Sequence, residues 1–68
     1  MQISARNQLK GKVADVRRGA TTAHIRIDIG QGNYITSSIT NEAVDELKLK
    51  TGDSVVAIIK ASDVMVGK

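Results

Sequence analysis

Between Thr22 and Ile29 the chain alternates without a break. Ala23, Ile25, Ile27 and Ile29 fall on one side, and Thr22, His24, Arg26 and Asp28 on the other. A period of two buries one face of an extended strand, whereas on a helix it would scatter the isoleucines around the axis. The segment therefore demands a sheet, and neighbouring segments supply the partners. Residues 9–17 read as a strand with Leu9, Gly11 and Val13 on one face and Lys10, Lys12, Ala14 and Val16 on the other. Arg17-Arg18-Gly19-Ala20 reads as the turn that follows, with Gly19 free to take a positive φ. Gly30-Gln31-Gly32-Asn33 has the composition of a hairpin turn. Residues 34–39 are a third strand, rich in β-branched side chains and hydroxylated at Thr36, Ser37 and Ser38.

One helix interrupts the strands. Thr40 has the chemistry of an N-cap, and Ala43, Val44 and Leu47 follow at helical spacing to about residue 48. Thr51-Gly52-Asp53 is a turn. Residues 54–60 form a fourth strand whose apolar run, Val55 to Ile59, predicts burial on both faces and contact with another subunit. Residues 63–66 read as a short fifth strand. The resulting order, three strands, one helix and two strands, predicts an all-β domain with one short helix. It fits a five-stranded barrel of the oligonucleotide/oligosaccharide-binding (OB) type, with an SH3-like barrel as the alternative.

Sixty-eight residues allow a single domain, spanning 1–68. The chain has no cysteine, no Phe and no Trp, and Tyr34 is its lone aromatic. A small aliphatic core without disulfides is marginal by itself, and oligomerisation is the remaining route to stability. A homo-oligomer is therefore expected. The formal net charge of +3 and a pI near 9.6 favour anionic partners. No apolar run is long enough to span a bilayer. The first residues lack the apolar core of a signal peptide, and the opening Met1 with the compact ending suggests a complete chain. A cytoplasmic protein without membrane partners is expected.

The residue types speak against catalysis. His24 is the only histidine, and its place in the alternation makes it an outward strand residue. One histidine and no cysteine leave no ordinary metal-cation site within a chain. No serine lies in a nucleophile elbow, and the isolated glycines form neither a Walker loop nor a dinucleotide loop. No enzyme, no catalytic residue and no cofactor are expected. Nucleic acid is a weaker partner than the charge suggests. Barrels of this class grip single strands by stacking bases on aromatics, and this chain has one aromatic, with seven acids among its ten bases.

Two polar clusters near the chain ends remain. Ser4-Ala5-Arg6-Asn7 and Lys60-Ala61-Ser62 each place a cation beside hydroxyls and small residues. A tetrahedral dianion needs charge neutralisation and donors from several directions. Arg6 offers a fork of N–H groups, Lys60 a compact charge, Ser4 a hydroxyl and Ala61 a backbone amide that an anion can approach closely. Thr40 opens a helix whose first amides lack internal partners, although Glu42 puts a negative charge in the same turn.

The run Ser4-Ala5-Arg6-Asn7-Gln8-Leu9-Lys10-Gly11 resembles the opening signature of the molbindins, the small Mop-type molybdate- and tungstate-binding proteins. The likeness continues through Ile39-Thr40, residues 47–52 and Ile58-Ile59-Lys60-Ala61-Ser62-Asp63-Val64. The resemblance implies an OB-like barrel assembled as a hexamer, a trimer of dimers, that holds oxyanions at subunit interfaces for intracellular storage or homeostasis. It assigns Ser4, Ala5, Arg6, Lys60 and Ala61 to the site from one subunit, and Thr40 with its neighbours from an adjacent one. The metal enters only as the oxyanion. A second kind of site near a threefold axis is also implied, and the turn at residues 18–22 is the place to look for it. A nucleic-acid-binding barrel and a ligand-indifferent assembly module stand as the alternatives.

Overall fold

The computed structural model describes residues 4 and 6–68. Strand β1 (Asn7–Arg18) is followed by β2 (Thr22–Gly30), β3 (Asn33–Thr40), helix α1 (Asn41–Leu47) and β4 (Ser54–Ile59). A 3-10 turn (Ala61–Asp63) closes the order. The strands form one antiparallel sheet in the order β3-β2-β1-β4, curled into a half-barrel with β3 and β4 at its edges.

The alternation in β2 does what its period requires. Ala23, Ile25 and Ile27 are buried and meet Val13, Val44 and Ala57 in the core. The β2–β3 hairpin turns through Gln31 and Gly32, at φ 55° and 77°. Two consecutive positive φ values give the turn whose twist matches paired strands. The Asp28 carboxylate accepts from the Gly30 N–H at 2.8 Å and steadies the entry to this turn.

Thr40 is the N-cap, accepting from the Ala43 N–H at 3.1 Å. The helix lowers Val44 onto the open end of the half-barrel, while Leu47 stays exposed. Two bonds from Asn41 fix where the helix starts. Its backbone N–H donates to the Thr21 carbonyl at 3.0 Å, and its side-chain amide donates to the Gly19 carbonyl at 3.1 Å. Arg18 reaches Asp45 of α1 at 2.6 Å; the pair is solvent-exposed and adds little stability.

Four expectations need correction. The strand count is four, because residues 63–66 do not form a strand. Ala61–Asp63 is a 3-10 turn, and Met65 and Val66 are 93% and 94% exposed. The physical reason is the lack of a partner: an isolated extended segment has no ladder to satisfy its backbone groups. Second, β1 does not keep one alternation. A register shift between Val13 and Asp15 inserts Ala14 as an extra residue, so Val16 packs against the core on the same side as Val13. Third, β4 is not buried on both faces in the single chain. Ala57 is buried, but Val56 and Ile58 are 38% and 40% exposed. Fourth, Gly19 is not among the glycines with positive φ. It serves a close approach instead, since a Cβ there would lie 3.0 Å from the Thr22 carbonyl oxygen.

Gly11 has a stronger steric role. A Cβ at this position would stand 2.5 Å from the Asp28 carbonyl oxygen and 2.8 Å from Ile27 Cγ2. Both neighbours belong to β2 and cannot step aside singly. Gly11→Ala is expected to cost about 1–3 kcal/mol through forced backbone movement, read as a lower melting temperature in thermal denaturation. An unchanged melting temperature would contradict this account of the β1–β2 contact.

Candidate functional site

The antiparallel pairing of β1 with β4 begins at Asn7↔Ile59 and runs to Lys12↔Ser54. Arg6 and Lys60 are the residues immediately beyond the first pair, so the two chain ends leave the sheet side by side. Both side chains are exposed. Among the described residues the ion pairs are Arg17–Asp15 and Arg18–Asp45, and neither Arg6 nor Lys60 takes part in one. Ser4 lies in an exposed bend two residues before Arg6. Ala5, the remaining member of the first cluster, falls outside the described residues.

The second cluster has a defined backbone. Lys60 is extended, at φ −65° and ψ 143°, and Ala61 opens the 3-10 turn. The Asp63 N–H donates to the Lys60 carbonyl at 2.9 Å, and the Val64 N–H to the Ala61 carbonyl at 3.2 Å. The first amides of such a turn have no partner within it, which leaves the Ala61 amide, next to Lys60, available to an acceptor from outside the turn. Asp63, in the same turn, is the nearby acid in sequence and is exposed.

Thr40 is not brought to this place. It pairs with Thr22 at the opposite end of the sheet, where β1 finishes at Arg18. Nearly the whole of β1 separates it from Arg6 within a chain. Its neighbours there are the turn residues Gly19 and Thr21, held by Asn41. The Asn41 side-chain oxygen is buried there without a hydrogen-bond partner among the described residues.

Among the described residues, Arg6, Lys60 and Ala61 line none of the three main hollows. One hollow, of about 890 Å³, is an apolar groove lined by Leu47, Leu49, Val55, Val56 and Ile58, together with Lys10 and Lys12. A second hollow of about 290 Å³ follows the open seam between β3 and β4. Among the described residues no three of His, Cys, Asp and Glu gather as metal ligands. No helix among the described residues is long and apolar enough to cross a membrane.

Two arrangements were not legible beforehand. The Asn7 side-chain amide donates to the Ile59 carbonyl at 3.2 Å, across the last pair of the β1–β4 ladder. Only the pairing register reveals this contact, because 52 residues separate the two positions. On the outer face, the Arg26 guanidinium lies 4.0 Å from the centroid of the Tyr34 ring. The outward face of Arg26 was readable from the alternation, but the hairpin register that brings Tyr34 to it was not.

Comparison with known proteins agrees with this architecture. The TOBE domain model matches residues 3–66. A probable molybdenum-pterin-binding protein of Haemophilus influenzae is 54% identical over 67 residues, covering 98% of this chain and 97% of the relative. The molybdate-binding protein of Sporomusa ovata superposes with a TM-score of 0.93 at 37% identity, over the full length of both chains. The cytoplasmic molybdate-binding protein ModG, solved with molybdate bound, gives a TM-score of 0.91 at 46% identity. That match covers 96% of this chain and 46% of ModG. The Ser-Ala-Arg-Asn opening, the strand–helix order and the curled sheet thus converge, and the chain belongs to the TOBE-domain family, among its small Mop-type members.

Proposed function

We propose that the chain binds molybdate or tungstate at sites built between copies of itself, and holds the oxyanion in the cytoplasm for storage or homeostasis without acting on it chemically. The observation that carries this reading is the β1–β4 register. It sets Arg6 and Lys60 side by side, exposed and outside the ion pairs of the described residues. Two adjacent like charges are an unfavourable arrangement that a dianion relieves. Ser4 and the Ala61 amide supply neutral donors to the same place, and charge-assisted hydrogen bonds from the two cations dominate. The relatives and solved neighbours are described as molybdate- or molybdenum-pterin-binding proteins, which supports the choice of ligand.

The unfinished state of the single chain supports assembly. The Arg6–Lys60 end is open, and Thr40 stands at the opposite end of the sheet. A second copy is needed for Thr40 to meet the cations. The β3–β4 seam is lined by Ile27, Ile35, Ala57 and Ile59, and the apolar segment at residues 64–66 has no strand to pair with. That segment from a neighbouring copy fits the seam as the missing fifth strand, and closure of a hexamer as a trimer of dimers follows the family pattern. Nucleic acid is not a partner in this reading. The outer face alternates Asp15 and Asp28 with Arg17 and Arg26, and Tyr34 is its single aromatic.

Arg6→Ala or Lys60→Ala is expected to weaken molybdate binding by about 2–5 kcal/mol, the cost of truncating one partner of a desolvated charged contact. Titration calorimetry giving the wild-type constant for either variant would remove that residue from the site. Saturating molybdate or tungstate is expected to raise the melting temperature, because ligand bound only by the assembled form stabilises that form. Native mass spectrometry should show six subunits with bound oxyanion. A monomer, or a hexamer indifferent to both oxyanions, would overturn the proposal.

A further inference from the structure

The two cations proposed to hold the anion both lie outside the ladder. Arg6 sits in a bend, and Lys60 leads into the 3-10 turn. Backbone pairing alone therefore does not fix their separation. Ends of paired strands open readily, and two neighbouring positive charges push such an end apart. Something must hold the pair together before a ligand arrives.

The side chain of Asn7 occupies the required position. Its Nδ2–H donates to the Ile59 carbonyl oxygen at 3.2 Å, and the bond is partly buried. Asn7 and Ile59 are also the terminal Cα partners of the ladder. The accepting carbonyl belongs to the peptide group that joins Ile59 to Lys60, and a peptide group is planar and stiff. On the donor side a single peptide joins Asn7 to Arg6. One side-chain hydrogen bond thus ties the residue after Arg6 to the peptide that leads into Lys60, stiff on the acceptor side and running through the Asn7 side chain on the donor side. Among the described residues, no other side-chain hydrogen bond links β1 to β4.

We infer that Asn7 is a positioning residue. Its amide clamps the end of the β1–β4 ladder and keeps the backbone at Arg6 and Lys60 together, so that the free protein has less to order when a tetrahedral dianion binds. The inference rests on the assignment of Arg6 and Lys60 to the site. Asn7 need not touch the ligand. Its contribution is to lower the ordering cost that the anion must otherwise meet on binding.

The test is a double-mutant cycle read by titration with sodium molybdate on the full chain. Asn7→Ala and Asn7→Val both remove the donor, and valine retains a strong strand former at the position. Each is expected to weaken binding about tenfold, the equivalent of one modest hydrogen bond. Subunit count by native mass spectrometry should stay at the wild-type value. In the Arg6→Ala background the same changes should weaken binding less than about twofold further, because no pair remains to be spaced. A wild-type constant for both Asn7 variants, alongside weakened Arg6→Ala and Lys60→Ala, would overturn the positioning role and leave the site in place. A loss that persists undiminished in the Arg6→Ala background, or that tracks disassembly, would assign Asn7 a merely structural role and also overturn it. Wild-type binding by both Arg6→Ala and Lys60→Ala would instead overturn the site itself, and the positioning role with it.

Discussion

The antiparallel pairing of β1 with β4 is the contact on which the rest of the structure depends. These strands lie at opposite ends of the chain, and their six-residue register brings the polar clusters of both ends together. The same pairing brings Ala57 into one buried cluster with Val13, Val44 and the isoleucines of β2, completing the small core. A single slip of the register would turn Ala57 outward and separate Arg6 from Lys60 at once. Core and site are therefore coupled through one ladder. Val13 ties it down further, exchanging both backbone groups with the turn at Gly52 and Asp53, at 2.8 and 2.9 Å.

A core this small leaves apolar surface uncovered. Among the described residues six are buried, and Leu47, Val56, Ile58, Met65 and Val66 remain exposed. Such surface on a chain with few aromatics and no disulfides fits a protomer whose stability is shared with its neighbours. The distribution of polar groups points the same way. Arg6 and Lys60 lie at one end of the sheet, and the capping Thr40 with the Asn41-anchored turn sits at the other, beside Arg18. In the proposed assembly, contact between copies would unite them, and a ligand caught between subunits would also link them.

Much of the fold was legible in local pattern. The β2 alternation, the Gly-Gln-Gly-Asn turn and the Thr40 cap each depend on residues a few positions apart, and each has a local physical signature. The Val13–Asp15 bulge was not legible, because an extra residue in a strand is defined only against its partner. The apolar run in β4 was read correctly as a strand; its reading as buried on both faces involved another subunit, and in the single chain one of its faces has nothing to meet. The fifth strand failed for a related reason. Residues 64–66 have strand-like composition, but a strand is a relation to an edge, and within one chain no edge receives them.

The sequence by itself determined the elements, the apolar side of the central strand, and the residue types able to neutralise an oxyanion. These follow from side-chain periodicity, capping chemistry and charge, which act over short distances along the chain. The tertiary structure alone decided which of those residues meet. The β1–β4 register joined Arg6 with Lys60, gave Asn7 its carbonyl partner across 52 positions, and put Thr40 at the far end. Such encounters depend on how distant segments pair, and pairing is fixed by the burial of the whole core rather than by any stretch of sequence read alone.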